Sequence, residues 1–372
     1  MLTGPVMSEL DLHPRFAGTR PVAPQHAFDE AALAAWMRRH VGGFSGALTV
    51  RQFSGGQSNP TFLVQAGDGF YVLRRKPPGV LLPSAHAVDR EFRVISALRA
   101  TDVPVAPARA LCEDPAVIGT AFYVMDHVPG RIFWDPKLPD CTPEERRALF
   151  DELGRVMAAL HCVDPAAIGL ADYGKPGQYL QRQVARWIKQ YRAAETERIA
   201  AVEQLIDWLP AHLPAEDVSA GGRIVHGDYR LDNVIFHPTE PRILAVIDWE
   251  LSTLGDPLVD FAYHCMTWRM PGSRGLADLT AELTTEQRAS CGIPLEADYV
   301  QRYCQRTGRS GIDEAHWTYC MVFNMFRLVG ILQGVHARAL QGNASSPEAL
   351  ATAARLKPLA EQAWALAQTG SL

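Results

Sequence analysis

The chain has 372 residues, of which 47% are hydrophobic and 21% charged, an ordinary globular composition with room for two lobes or domains. The formal net charge of −5, without a dense block of Lys or Arg, argues against nucleic-acid binding. Seven scattered cysteines favour reduced thiols, and the absence of an apolar leader or a ~20-residue apolar run predicts a cytoplasmic protein without a membrane partner.

The first part of the chain is predicted to form a compact antiparallel lobe of five strands and one helix. The Pro-rich residues 1–25 are expected to be poorly ordered, and Asp29 can cap a short helix that ends at Gly42-Gly43. Strand patterns cover residues 47–53, 61–66, 70–75, 109–113 and 121–126, and a helical pattern covers residues 85–100.

From residue 129 onward the sequence indicates helices. Thr142 to Glu145 form a capping box with Pro143 at the first helical position, so two start signals coincide. Later helices are predicted at residues 179–194, 258–267, 315–340 and 346–368. One strand pair, residues 234–236 and 243–248, interrupts them, and polar residues crowd its ends.

The polar residues around this strand pair suit phosphoryl transfer. Asp228 lies in a His-Gly-Asp loop, Asn233 follows five residues later, and Asp248 ends the second strand. The reaction needs a group that orients the attacking hydroxyl and accepts its proton, and it needs oxygen ligands that hold Mg²⁺ between the phosphates. Although His-Gly-Asp alone is common turn chemistry, the order and spacing match the HRDxxxxN-then-DFG layout of protein kinases. Asp228 is therefore the candidate base, and Asn233 and Asp248 are the candidate metal ligands.

A glycine-rich turn between the first two strands of the hairpin region is the candidate phosphate loop. Its glycines would let backbone N–H groups approach phosphate oxygens, but the turn is not GxGxxG and could be a plain hairpin loop. The residues concerned are Ser54, Gly55, Gly56, Gln57 and Ser58.

Arg74 is the candidate phosphate-binding cation, because it occupies the strand position where kinases carry the V-A-I-K lysine. Lys76 points to the same face and remains an alternative. Glu91 falls on the apolar stripe of the next helix, where an unpaired carboxylate is costly, so an ion pair with Arg74 is predicted. A snorkelling Arg74 and a Glu91 that meets water are the competing interpretations. The backbone from Asp126 to Val128, where the last strand feeds a hinge, is the candidate adenine contact.

Together these residues resemble the aminoglycoside phosphotransferase and choline kinase family from about residue 48 to residue 268. The matching motifs are HGDxRxxN at His226 to Asn233, I-D-W-E at Ile247 to Glu250 and D-P-x-x-D at Asp256 to Asp260. The resemblance implies an α+β, protein-kinase-like two-lobed fold, with a small antiparallel β-sheet N-lobe carrying one helix and a larger, mainly helical C-lobe. It also implies ATP (or GTP) and Mg²⁺ as cofactors, bound between the lobes, and a structural role for Asp260.

The implied organisation has three parts: an N-terminal extension with a short helix (1–45), a nucleotide-binding N-lobe (46–127) and a helical C-lobe with the catalytic loop and acceptor site (128–372). Candidates for the acceptor site, each of which could equally be a core residue, are Tyr229, Trp249, His264, Trp268 and Arg269.

Residues 53–61 and 72–79 look closest to the kinase-like domain that is fused to, or encoded beside, acyl-CoA dehydrogenases. That similarity implies a hydroxylated acyl-CoA thioester as acceptor and a functional link to an acyl-CoA dehydrogenase. The absence of an APE segment after Asp248 argues against protein substrates. An aminoglycoside or other small-alcohol kinase and a catalytically silent binding module are the alternatives. The sequence favours an active enzyme, because the base, both metal ligands and the Arg–Glu pair are all present.

Overall fold

The computed structural model describes residues 18–54, 59–77, 87–175, 177–215, 222–271, 275–278, 283–341 and 353–370. The chain divides into two compact units. Unit 1 comprises the described parts of Met1–Trp134, with Ile168–Leu170 and Arg230–Ser252. Unit 2 comprises the described parts of Asp135–Ala167, Ala171–Tyr229 and Thr253–Leu372. This division differs from the predicted boundary at residue 128, because a later segment that carries the second strand pair groups with unit 1.

Unit 1 is built on an antiparallel sheet. Its strands, in the spatial order β1-β2-β3-β4-β6-β5, are β1 Thr19–Arg20, β2 Leu48–Phe53, β3 Thr61–Ala66, β4 Gly69–Arg75, β5 Ala108–Cys112 and β6 Phe122–Asp126. The turn between β3 and β4 consists of two residues, Gly67 and Asp68, and the positive φ of +56° at Gly67 suits the twist of a tight hairpin. This register turns every second residue of β4 toward the same face of the sheet.

The α-helices in the described part of unit 1 are α1 Glu30–His40 and α2 Val88–Leu98. Helix α1 starts at the predicted cap, where the Asp29 carboxylate accepts a hydrogen bond from Ala32 N at 2.9 Å. Its buried residues Leu33, Trp36 and Met37 join the core of the sheet. The short helix predicted for the N-terminal extension is therefore present and packs into unit 1, and Thr19–Arg20 forms a strand where disorder was predicted.

Among the described residues that follow, four short strands form two antiparallel pairs. They are β7 Arg223–Val225, β8 Val234–Phe236, β9 Ile243–Val246 and β10 Thr253–Gly255. β8 pairs with β9 in unit 1, and β7 pairs with β10 in unit 2. The β8–β9 pair is the strand pair predicted from the sequence.

Unit 2 is mainly helical. Its described helices are α3 Pro143–Cys162, α4 Tyr179–Ala194, α5 Ala200–Ala211, α6 Pro257–Cys265, α7 Thr285–Cys291, α8 Glu296–Thr307, α9 Glu314–Leu340 and α10 Leu356–Thr369. The capping box of Thr142 and Glu145 at the start of α3 is confirmed. Helices α5, α7 and α8 were not predicted, and the predicted start of the last helix at residue 346 lies outside the described residues.

Helix α9 is the central helix of unit 2 and packs against α4, α6 and α10. By length and composition alone it could cross a membrane, but 67% of its most apolar window is buried inside the protein. Such burial is what a core helix shows, so the helix is weak evidence for a membrane span.

Candidate active site

Arg74, on β4, holds its guanidinium against three carboxylates of unit 1. Its Nε lies 2.9 Å from Glu91 Oε2, and its Nη2 lies 2.5 Å from Asp248 Oδ1 and 3.4 Å from Glu250 Oε2. The side chain of Arg74 is 10% exposed and that of Glu91 is 1% exposed. The predicted Arg74–Glu91 ion pair is therefore present, and it is almost fully withdrawn from water.

Glu91 is held by more than its ion pair. It lies on the buried face of α2, where its Oε1 accepts a hydrogen bond from Asn59 Nδ2 at 2.9 Å and its Oε2 accepts one from Tyr123 Oη at 3.1 Å. Asn59 Nδ2 also lies 3.4 Å from Glu250 Oε2. A buried carboxylate is tolerated only where its oxygens have donors, and these contacts meet that requirement.

The electrostatics of the cluster keep Arg74 charged. Burial by itself would lower the pKa of Arg74, but the carboxylates of Glu91 and Asp248 outweigh burial and raise it above its usual range. For Glu91 the effect of burial is the reverse: burial raises the pKa of its carboxyl, and the Arg74 guanidinium opposes that rise. Among the described residues, the carboxylates of Glu91, Asp248 and Glu250 all lie near the Arg74 guanidinium, and such a group of carboxylates is an environment that a divalent cation would stabilise.

The β8–β9 register brings Asn233 and Asp248 to one end of the strand pair. Val234 is opposite Val246, and Ile247 N donates a hydrogen bond to Asn233 O at 2.9 Å, so Asn233 stands next to the residue that precedes Asp248. Asp248 has a left-handed backbone with φ of +66°, and its side chain is 32% exposed. Amide and carboxylate oxygens are the donors that Mg²⁺ prefers, so the residues present fit this ion.

The structure distinguishes the two candidate cations at the end of β4. Lys76 is directed to Asp89, with Nζ 3.6 Å from Oδ1, and its side chain is one-third exposed. The intervening Arg75 points to the opposite face, where Nη1 donates to Ile118 O at 3.2 Å. Arg74, rather than Lys76, is therefore the cation within the carboxylate cluster.

The glycine-rich turn falls largely outside the described residues, which include Ser54 but not Gly55, Gly56, Gln57 or Ser58. At the predicted hinge, Arg109 Nε and Nη2 donate to the two carboxylate oxygens of Asp126, each at 2.6 Å. The backbone N–H of Asp126 donates to Pro107 O at 2.9 Å, and Val128 follows the strand as a partly exposed residue. Since Arg109 engages the Asp126 side chain, an adenine contact here would involve backbone atoms.

The loop that carries Asp228 is fixed within unit 2 by Asp260 from α6. The Asp260 carboxylate accepts hydrogen bonds from His226 N at 2.6 Å and Gly227 N at 2.8 Å. His161 Nε2 lies 3.3 Å from the same carboxylate. Burial alone would raise the pKa of Asp260, but His161 and His226 hold it below its usual value. These contacts agree with the structural role that the resemblance implied.

Two residues next to the loop were not identified from the sequence. Tyr263 Oη donates a hydrogen bond to Asp228 Oδ1 at 2.6 Å, and Arg327 Nη2 donates one to Gly227 O at 2.6 Å. The Arg327 guanidinium lies 4.7 Å from the centroid of the Tyr263 ring. A signal existed for each residue: Tyr263 is one helical turn from Asp260 on α6, and Arg327 is the only charge in the apolar run of residues 321–332.

The acceptor-site candidates are mostly core residues. Tyr229, Trp249, His264 and Trp268 are all buried, with 0%, 1%, 4% and 6% exposure. Arg269 forms an ion pair with Glu296 at 3.0 Å. The alternative that these positions stabilise the fold is therefore the correct one for the four buried residues.

Comparison with known proteins adds independent evidence. Residues 49–307 match the phosphotransferase enzyme family, APH. Acyl-CoA dehydrogenase family member 10 of Mus musculus is 45% identical over 358 residues, which are 95% of this chain and 32% of that protein. Acyl-CoA dehydrogenase family member 11 of Rattus norvegicus is 43% identical over 349 residues, which are 92% of this chain and 44% of that protein. The chain thus spans less than half the length of these curated relatives.

Solved structures agree with the family match. One is a protein of Ralstonia eutropha JMP134 that has been provisionally named an aminoglycoside phosphotransferase. It is 53% identical to this chain with a TM-score of 0.81, and the match covers 92% of this chain and 99% of that one. Another is the aminoglycoside phosphotransferase APH(4)-Ia, which was solved with ADP and hygromycin B. It is 16% identical with a TM-score of 0.56, and the match covers 91% of this chain and 98% of that one. At this identity the similarity shows the fold alone. This chain therefore belongs to the phosphotransferase enzyme family and has its α+β, protein-kinase-like two-lobed fold.

Proposed function

We propose that this chain uses ATP and Mg²⁺ to transfer a γ-phosphoryl group to the hydroxyl of a hydroxyacyl-CoA in the cytoplasm. The observation that carries the nucleotide assignment is the cluster in which one buried cation, Arg74, is held between the Glu91 and Asp248 carboxylates. A guanidinium fixed in this way is pre-oriented, so it loses little side-chain entropy when it binds the α- and β-phosphates. ATP is favoured because the relative solved with a nucleotide contains ADP.

Asn233 and Asp248 would hold the Mg²⁺ ion. When bound, this ion supplies neutralisation of the charge on the β- and γ-phosphates. On binding of the nucleotide and metal, the short contact between Arg74 and Asp248 would lengthen, because each group then gains a partner of opposite charge. The Asn59 and Tyr123 hydrogen bonds would keep Glu91 in place during this exchange.

Asp228 would orient the acceptor hydroxyl and accept its proton as the oxygen attacks the γ-phosphorus. The loop around it is held by Asp260 through two backbone N–H groups, and by Arg327 through the Gly227 carbonyl. Fixing the backbone on both sides of Gly227 limits the motion of the base, and positioning supplies much of the catalysis in phosphoryl transfer.

The hydroxyacyl-CoA proposal is supported by the identity of the relatives. Both are acyl-CoA dehydrogenase family members, and this chain matches a part of each that is less than half of its length. A kinase that acts with an acyl-CoA dehydrogenase would activate a hydroxyl of the acyl chain by converting it into a phosphate ester, which is a better leaving group. The partner class is therefore an acyl-CoA dehydrogenase that uses the product.

The test is ADP release from Mg²⁺-ATP over a panel of acceptors: hydroxyacyl-CoAs, aminoglycosides, choline and simple sugars. Each hydroxyacyl-CoA is paired with the same acyl-CoA lacking the hydroxyl, and Asp228→Asn is the enzyme control. We expect turnover with the hydroxyacyl-CoAs, none with the matched deoxy compounds, and loss of turnover in the variant. Turnover with aminoglycosides or choline alone would overturn the acceptor assignment and leave the kinase assignment intact.

A further inference from the structure

Three side chains of unit 2 that take no part in the proposed reaction meet at the start of two helices. Asp256 is the N-cap of α6, and His316 and Cys320 lie in the first two turns of α9. One carboxylate oxygen, one imidazole nitrogen and the thiol sulfur all lie within 4.8 Å of one another. His316 and Cys320 are four residues apart, a spacing that places both side chains on one face of a helix.

The orientation of each donor is fixed by the ends of the helices. Asp256 Oδ1 accepts the capping hydrogen bond from Leu258 N at 2.8 Å, which directs Oδ2 to His316 Nε2 at 3.0 Å. His316 N in turn donates to the Asp313 carboxylate that caps α9, at 2.8 Å. Two ligands bound at about 2.0 Å to a tetrahedral ion are about 3.3 Å apart, so this pair needs only a small adjustment to bind a metal.

Cys320 distinguishes this group from a simple hydrogen-bonded pair. The thiol is fully buried, with 0% exposure, and among the residues that the structure describes its sulfur has no hydrogen-bond partner. The side chains of Asp256 and His316 are 24% and 25% exposed, so an ion could enter from their side. A His316–Asp256 hydrogen bond alone would explain the contact between the helices, but it would not require a thiol beneath it.

We propose that Asp256, His316 and Cys320 form a zinc site. One thiolate, one imidazole and one carboxylate form a mixed donor set that suits Zn²⁺ and does not suit Mg²⁺ or Ca²⁺, which prefer oxygen alone. Three protein ligands leave the fourth position to water. The ion would cross-link the start of α6 to α9, the two helices that carry Tyr263 and Arg327.

Zinc binding would be coupled to proton release, because the thiolate is the form of a cysteine side chain that binds the ion. The proton of the Cys320 thiol would leave to solvent as the metal binds.

The test is zinc binding by the full chain, purified without a polyhistidine tag, treated with chelator and titrated with zinc chloride. We expect one zinc per chain to be retained through gel filtration, with affinity lowered by more than about tenfold in Cys320→Ser and in His316→Gln. Cobalt chloride should give a thiolate-to-cobalt absorption in the near ultraviolet that Cys320→Ser abolishes. The matched control is Cys304→Ser, another buried cysteine, which should bind zinc as the wild type does.

Failure of the folded wild type to retain zinc would overturn the site. Equal zinc binding by the wild type, Cys320→Ser and His316→Gln would overturn it too. Circular dichroism checks the fold of each variant. If Cys320→Ser does not fold, the zinc affinity of His316→Gln tests the site instead. The His316 side chain is partly exposed, so this variant is expected to fold. None of these measurements depends on phosphoryl transfer, so they test the zinc site independently of the proposed kinase reaction.

Discussion

At the scale of single residues, Tyr263 is the side chain whose hydrogen bond orients Asp228, the proposed base. Its hydroxyl donates to Asp228 Oδ1 at 2.6 Å, and its ring lies beside the Arg327 guanidinium that also holds the Gly227 carbonyl. A short hydrogen bond to a carboxylate fixes the orientation of that group. Tyr263 is therefore a positioning residue, and its effect on the rate should depend on Asp228.

Tyr263→Phe removes this hydrogen bond and keeps the ring. A hydrogen bond to a charged group contributes about 1.5–3 kcal/mol, so we expect ADP formation to slow by about tenfold or more. The affinity for Mg²⁺-ATP should stay within about twofold, because Tyr263 belongs to unit 2, whereas Arg74 and its carboxylates belong to unit 1. Steady-state rates and nucleotide titration measure the two quantities.

A double-mutant cycle separates positioning from a general structural effect. In the Asp228→Asn background, Tyr263→Phe should change the residual rate by less than about twofold, since the group that it positions is no longer a carboxylate. Tyr299→Phe, which removes a buried hydrogen bond to His264 and likewise keeps the ring, is the control for the loss of a buried tyrosine hydroxyl away from Asp228. If Tyr263→Phe slows both backgrounds equally, the positioning role is refuted.

The residues predicted from the sequence are those whose partners are set by local periodicity or by a short spacing. The sequence predicts a buried partner for Glu91 because this residue falls on the apolar stripe of α2, and it predicts that Asn233 and Asp248 lie close together because a hairpin joins them. Tyr263 and Arg327 contact residues 35 and 100 positions away in the chain, and no local pattern specifies such a pairing. Only the packing of α6 and α9 reveals these contacts.

At the scale of the elements, two of the three helices that were not predicted, α5 and α8, lack a capping residue at their start. Helix α5 has Ile199 and helix α8 has Leu295 at the N-cap, and neither side chain makes a capping hydrogen bond. Helix α7 does begin with a capping box, formed by Thr284 and Gln287, so its start could have been found. Capping is a local interaction and can be read from sequence, whereas a helix held by tertiary packing alone cannot.

The packing of α6 against α8 predicts a pH dependence. His264, on α6, is buried beside Tyr299 of α8, and its Nε2 lies 2.8 Å from the Tyr299 hydroxyl. Burial lowers the pKa of His264 to about 4. Between pH 6.5 and 4 the unfolded state therefore binds more protons than the folded state, so stability decreases as the pH falls through this window.

Above pH 6.5, His264 should cause no loss in the free energy of unfolding. By pH 4, proton uptake by His264 in the unfolded state should have lowered that free energy by roughly 3 kcal/mol. Denaturant unfolding at several pH values, for the wild type and His264→Gln, measures this loss as a difference in slope. The variant should have the shallower dependence, because its side chain takes up no proton. Identical slopes for the two proteins would contradict the assignment.

At the scale of the whole molecule, the chain crosses from unit 2 to unit 1 within the HGDxRxxN motif, between Tyr229 and Arg230. Asp228 belongs to unit 2, with Asp260 and Tyr263 around it. Asn233, Asp248 and Arg74 belong to unit 1. The motif gives the candidate residues, but not that the proposed base and the proposed metal ligands are held by separate sets of packing contacts. This separation implies that substitutions can affect transfer without affecting nucleotide binding.

The most direct test is calorimetric titration of Mg²⁺-ATP into the wild type, Asp228→Asn and Asp248→Ala. The wild type should bind, Asp228→Asn should bind within about threefold of it, and Asp248→Ala should bind at least about 30-fold more weakly, since losing a charged metal ligand costs about 2 kcal/mol or more. Arg74 remains paired with Glu91 in both variants, so neither substitution should unfold the protein. Equal losses in the two variants, or a wild type that binds no nucleotide, would contradict the assignment of Asp248 to the nucleotide and of Asp228 to the transfer step.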